Sequence, residues 1–172
     1  SFTEFEKVME MRSNTSDNTV YADDKGNIAY WHGNFIPIRD TKYDWSQPVD
    51  GTTSATEWKG IHKLNDIVHV HNPSTGFIQN CNPHPFTVSG TASPDKNKYP
   101  KYMSPDGENP RAINAVRLLS NENNLTLDKM METGYNTYLS AFDILLPSLF
   151  TAYDARPITA VMNPIDQSIY LL

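Results

Sequence analysis

Six prolines fall between residues 83 and 110 (Pro83, Pro85, Pro94, Pro100, Pro105 and Pro110), so no helix or central strand can run through that stretch. They divide the 172-residue chain into two parts of different character. Ahead of them, Asn18 to Asp23 and Asn27 to His32 are β-type runs flanking Asp24-Lys25-Gly26, a hairpin connection with Gly where a left-handed residue is needed. A second hairpin is expected from Ile67 to His71, the turn Asn72 to Gly76, and Phe77 to Asn80. Behind the prolines the pattern is helical. Asn109-Pro110 starts one helix with Ala112, Ile113, Val116 and Leu119 as its apolar stripe, Thr126 starts another, and Tyr138 to Phe150 forms a third with Pro147 kinking or interrupting it. Strands first and helices second, without regular alternation, is the α+β class. Residues 33–66 read as a long ordered loop, because Trp31, Trp45 and Trp58 lie in or beside it.

The ends carry helical patterns too. Phe2, Phe5, Val8 and Met9 recur at helical spacing from residue 2 onward with no cap read in front of them. Asn163-Pro164 reads as N-cap and N1, with Asp166 at N3 and Ile165, Ile169 and Leu172 along one face, and no C-cap signal follows. Both features are those expected of a piece of a longer polypeptide, a native tail being the alternative. The apolar fraction of 38% is lean enough to fit a piece that packs on more chain.

Charge and composition remove several functions. The net charge of −6 leaves no basic face for phosphates, so nucleic acid is not an expected partner. Apolar stretches such as Ile144-Leu145-Leu146 are only a few residues long, so no membrane partner is expected. Cys81 is the single cysteine, which excludes an internal disulfide and any multi-cysteine zinc site. His69 and His71 share a strand face at a spacing metal sites use, but no third ligand accompanies them, and no metal ligand is assigned. Ser1 could act as an N-terminal nucleophile if it opened a strand into a buried pocket; it opens a helix instead and receives no catalytic role.

Asn80-Cys81-Asn82-Pro83 is the most suggestive motif. It closes an extended segment, where scaffolds present functional side chains. A carboxamide supplies two N–H donors without any change of protonation, which suits a developing oxyanion. An Asn before Pro is equally an ordinary turn residue, and by residue type alone both readings stand.

Several segments, taken together, resemble the penicillin amidase family of penicillin, cephalosporin and acyl-homoserine-lactone acylases. NTVYADDKGNIAYWHG (residues 18–33) resembles that family's YAD..GNIGY hairpin, and Trp58-Lys59-Gly60 its W.G stretch. Residues 72–82, NPSTGFIQNCN, resemble its NP..GYI.N.N strand, and RAINAVRLL (111–119) its R...I..LL helix. These occur in the family's order and cover about residues 3–155.

The resemblance implies part of an αββα sandwich of an N-terminal nucleophile hydrolase. Residues 3–109 would supply strands and loops with two hairpins, and 110–172 a helical segment. It implies an enzyme that cleaves the linear acyl-amide bond of a small molecule, penicillin-, acyl-homoserine-lactone- or lipopeptide-like. The nucleophile would be a Ser opening the β-chain upstream of this stretch, so the stretch alone would be inactive. Asn82 takes the place of the family's oxyanion-hole side chain, and Arg111 that of the Arg that positions it. Arg111 is a permanent cation at a helix N-terminus, where the macrodipole favours anions, so it needs a partner to serve. The further implications are the α-chain and the rest of the β-chain as partners, a periplasmic or secreted location, no cofactor in this stretch, and a Ca²⁺ site admitted for the whole enzyme. The sequence departs from the family in having Cys81 where penicillin acylases have an aromatic residue, Pro83-His84-Pro85 where small polar residues are usual, and a longer segment between Phe86 and Pro110. That length blocks transfer of the family's Ca²⁺ carboxylate to a residue here. A non-catalytic carbohydrate- or protein-binding module, using Trp31, Trp45 and Trp58 as a surface platform, is the rival expectation.

Overall fold

The computed structural model describes residues 1–14 and 17–155. Its contacts divide into a unit of residues 1–136 and a second beginning at Thr137. The first unit thus includes the two helices that follow the prolines. The helix at 110 is tied to the residues before it by side-chain bonds from Asn109 and Arg111.

The first unit opens with α1 (Phe2–Met9), followed by the hairpin β1 (Thr19–Ala22) and β2 (Ile28–Trp31) and then β3 (His69–His71). The three strands form one antiparallel sheet in the order β1-β2-β3. Contrary to the reading of an uncapped start, Ser1 caps α1: its hydroxyl accepts from the Glu4 backbone N–H, and the Glu4 carboxylate accepts in return in a capping box. Ser-Phe-Thr-Glu is the sequence signature of that box.

Asp23 builds the β1–β2 turn. Its carboxylate accepts from the backbone N–H of Lys25 and Asn27, the Asn27 side-chain amide and the Tyr21 hydroxyl, at 2.8–3.0 Å. These bonds, those from Asn27 foremost, pull its pKa down to about 2. Gly26 takes φ +82 in this turn, a conformation that costs a side-chain-bearing residue strain.

Strand alternation then sorts the side chains. Tyr21, Ala29 and His71 stand opposite one another across the sheet, as do Thr19, Trp31 and His69, and these two rows share one face. α1 packs on that face. Phe2 stacks on the His71 ring at 4.0 Å and contacts Tyr21 and Trp31, while Phe5 reaches both of those rings. Met9, Ala29, Trp31 and Leu64 are buried there. Each large apolar side chain so buried contributes roughly 1.5–3 kcal/mol relative to exposure. Tyr30, one residue along β2, necessarily points to the opposite face, and it too is almost wholly buried.

The expected second hairpin does not form. β3 pairs with β2, and residues 77–80 belong to no strand. Asn72 (φ +46) and Gly76 (φ +74) turn the chain away after His71. The backbone groups of the next segment find partners downstream: Gln79 N–H donates to the Val88 carbonyl at 2.8 Å, and the Ser89 hydroxyl donates to the Phe77 carbonyl at 2.7 Å. Asn72 also extends the β2 edge, its side-chain oxygen accepting from Ile28 N–H at 2.8 Å.

The proline-rich stretch is a succession of single 3₁₀ turns at Pro85–Thr87, Gly90–Ala92, Lys96–Lys98 and Lys101–Met103. Residues 33–66 form an ordered loop with two 3₁₀ turns and one isolated bridge, Pro37 to Ile61. Ile36 and Ile38 exchange backbone hydrogen bonds with Lys59, Gly60 and His62 at 2.9 Å.

α2 (Pro110–Leu119) and α3 (Leu127–Gly134) begin at the caps read from sequence, with Asn109 accepting from Ala112 N–H and Thr126 from Lys129 N–H. In the second unit, α4 spans Ala141–Asp154, starting later than expected and continuing through Pro147. The terminal helix expected from Asn163 lies outside the described residues. No described helix is long and apolar enough to cross a membrane. Helices with a small antiparallel sheet are α+β, as read.

Candidate active site

The turn Asn80-Cys81-Asn82 is held from three directions. Its backbone closes on an Asx turn, with the Asn80 side-chain oxygen accepting from Asn82 N–H at 2.8 Å. Asn82 itself sits at φ +69, a left-handed conformation that Asn tolerates better than most residues. From below, a single carboxamide joins the turn to α2. Asn109 donates its Nδ2 to the Cys81 carbonyl at 2.9 Å while its Oδ1 caps the helix by accepting from Ala112 N–H at 3.0 Å.

From the first turn of α2, Arg111 reaches across and donates Nη2–H to Asn82 Oδ1 at 3.0 Å. A guanidinium can only donate, so the carboxamide must turn its oxygen toward Arg111. The Nδ2 amino group is thereby aimed the other way, and among the described residues it donates to none. Arg111 has no carboxylate within ion-pair distance among the described residues either, so Asn82 is the partner that its place at the helix N-terminus demanded. Both side chains are exposed in this stretch of chain. The result is a neutral, oriented pair of N–H donors with a fixed cation behind them.

Behind the turn lies a further set of polar groups. Asn80 Nδ2 donates to the Tyr30 hydroxyl at 3.3 Å, and that oxygen is 3.0 Å from His32 Nδ1. Burial raises the Tyr30 pKa and lowers that of His32, the latter against the pull of Asp106, so both groups are neutral near pH 7. Sequence reading missed these residues and the double role of Asn109. The available signal was the Asn-x-Asn spacing, which is that of an Asx turn.

The other residues singled out from sequence go elsewhere. Ser1 is the α1 cap. His69 Nδ1 is 2.7 Å from the Ile67 carbonyl, and His71 stacks on Phe2. Among the described residues no group of three or more His, Cys, Asp or Glu side chains could hold a metal ion. The three tryptophans make no common platform. Trp31 is 2% exposed in the core; Trp45 is half-buried, donating Nε1–H to the Asp40 carbonyl with Arg39 above its ring; only Trp58 is freely exposed.

The α+β fold thus carries a carboxamide held by an arginine in a loop turn, and relatives of this chain place it in a known group. The family model described as penicillin amidase matches residues 1–168, and the chain belongs to the penicillin amidase family. Penicillin G acylase from Escherichia coli is 40% identical over 68 residues, which are 40% of this chain and 8% of that protein. A thermostable penicillin G acylase from Alcaligenes faecalis has a similar fold over all of this chain and 29% of its own, with a TM-score of 0.63 at 22% identity. The chain thus spans under a third of the length of either protein.

Proposed function

We propose that this chain is the oxyanion-binding part of an enzyme that cleaves the acyl-amide bond of a small molecule. The substrate classes are those of the resemblance: penicillin-, acyl-homoserine-lactone- or lipopeptide-like linear amides. The observation that carries the reading is the 3.0 Å bond from Arg111 Nη2 to Asn82 Oδ1, with the opposite end of the same carboxamide unengaged among the described residues. When a nucleophile adds to an acyl carbon, the carbonyl oxygen gains negative charge, and donors already aimed at that oxygen stabilise the transition state more than the ground state. Asn82 Nδ2 is such a donor. Arg111 fixes which end of the carboxamide faces the substrate, and its charge polarises the amide further.

The attacking group in this reading is a Ser at the start of a β-chain, lying outside these residues, and a backbone N–H from an earlier segment is the second oxyanion donor. The three-stranded sheet and its helices would then be part of an αββα sandwich completed by the α-chain and the rest of the β-chain. This stretch alone would be inactive, and the whole enzyme periplasmic or secreted. Calcium, admitted for the whole enzyme by resemblance, is assigned to no residue here and enters no step.

The test is Asn82→Ala in the full-length precursor, assayed for acyl-amide hydrolysis after processing. Loss of one oxyanion donor predicts a fall in kcat of about 10²–10³ with little change in KM. Turnover within a few-fold of wild type would sink the assignment.

A further inference from the structure

The orientation of Asn82 depends on more than Arg111. Its side chain leaves a backbone held at φ +69, and that backbone is pinned by the bond from Asn82 N–H to Asn80 Oδ1. The Asn80 carboxamide is in turn fixed at its other end, where Nδ2 donates to the buried Tyr30 hydroxyl. The Tyr30 oxygen accepts from Asn80 and lies 3.0 Å from His32 Nδ1; with the His32 proton on Nε2, Nδ1 accepts the Tyr30 hydrogen and both buried groups are satisfied. In that tautomer the relay reads Asn82 N–H to Asn80, Asn80 N–H to Tyr30, Tyr30 O–H to His32. Every donor points away from the turn, and Tyr30 is 1% exposed, so water does not compete for its hydroxyl. The β2 pleat makes this possible: it sends Trp31 to the α1 face and Tyr30 and His32 to the other.

We propose that Tyr30 and His32 are positioning residues for the oxyanion donor, acting through Asn80 on the left-handed backbone of Asn82. This rests on the oxyanion reading of Asn82 and extends it to a buried network that touches no substrate. Without the Tyr30 hydroxyl, Asn80 loses the acceptor for its Nδ2, its carboxamide is free to rotate, and the Asx turn loosens. Asn82 Nδ2 then wanders from the oxyanion position, where a displacement of about 1 Å is enough to cost up to ~10²-fold in rate.

The experiment is a mutant cycle in the processed full-length enzyme, with kcat and KM measured for acyl-amide hydrolysis by wild type, Tyr30→Phe, Asn82→Ala and the double variant. The expected result is a fall in kcat of about tenfold for Tyr30→Phe with KM within about twofold, and a further loss below about twofold when Asn82 is already Ala. An equal tenfold loss in both backgrounds means that Tyr30 only supports the fold, and overturns the proposal. Wild-type turnover for Tyr30→Phe alongside a large loss for Asn82→Ala overturns it too, and leaves the oxyanion reading standing. A negligible effect of Asn82→Ala removes the oxyanion reading, and the positioning role falls with it. Should Tyr30→Phe fail to fold, His32→Phe removes the acceptor while keeping Tyr30, and His32→Gln restores an acceptor. Recovery of at least half the lost kcat by the Gln variant supports the relay, and equal losses in the two refute it.

Discussion

Replacing Arg111 by Ala should separate stability from function. Arg111 is the second residue of α2, directly after Pro110, where a positive charge meets the positive end of the helix dipole. Removing that charge from an exposed first turn gains roughly 0.3–1 kcal/mol. Against it stands the loss of one exposed, charge-assisted bond to Asn82 Oδ1, worth about 0.5–1.5 kcal/mol at most in water-accessible surroundings. Arg and Ala have similar helix propensities, so the substitution itself adds only a few tenths. The terms nearly cancel, and the local stability of α2 should change by less than about 1 kcal/mol in either direction. Activity should not be spared. Without the guanidinium the Asn82 carboxamide can present its oxygen to the substrate as easily as its amino group, and an oxygen there repels the developing charge. A fall in kcat of about tenfold or more follows, approaching the loss of the donor itself. Hydrogen exchange of the α2 amides in the full-length protein reads the stability, and steady-state hydrolysis reads the activity. Arg111→Lys should recover only part of kcat, because an ammonium is a point charge on a flexible stem without the planar fork. If Arg111→Ala loosened α2 by 2 kcal/mol or more and left kcat unchanged, the guanidinium would be a structural clasp and the reasoning would be wrong.

Other perturbations test the scaffold that carries the turn. The Asp23 carboxyl, held down at about 2 against an ordinary 3.8, contributes stability that is fully present above about pH 4 and is lost as pH falls toward 2. The difference in urea midpoint between wild type and Asp23→Asn should therefore narrow between pH 6 and pH 3, and a constant difference would contradict the hydrogen bonding of the β1–β2 turn. Trp31→Ala removes a buried ring from the α1–sheet core and should cost about 3–5 kcal/mol in denaturant unfolding, whereas Trp58→Ala should stay within about 0.5 kcal/mol. Comparable losses at the two positions would mean that burial does not distinguish them.

What could be read from sequence alone follows from how far apart the interacting groups lie along the chain. The caps at Asn109 and Thr126 and the Asp24-Lys25-Gly26 turn were legible because a cap or turn is settled by side-chain chemistry within three or four residues. The capping box at Ser1 obeys the same rule, and its Ser-x-x-Glu spelling was open to the same reading. Strand pairing obeys another rule. Residues 77–80 carry the composition of a strand, but composition does not say which carbonyls will meet their N–H groups, and Val88 and Ser89 reach them before β3 can. The exchange between residues 36–38 and 59–62 was hidden for the same reason. The site shows both regimes in one place. The Asx turn from Asn80 to Asn82 is local and is written in the Asn-x-Asn spacing. Arg111 lies far along the chain and was reached through resemblance to a family, while Tyr30 on β2 and His32 just past its end, far upstream, were given no role. Their role emerges only when the β2 pleat assigns Trp31 to one face and its neighbour Tyr30 to the other. A buried hydroxyl on that second face has to find polar partners, and the partner it finds is the residue that shapes the turn bearing Asn82.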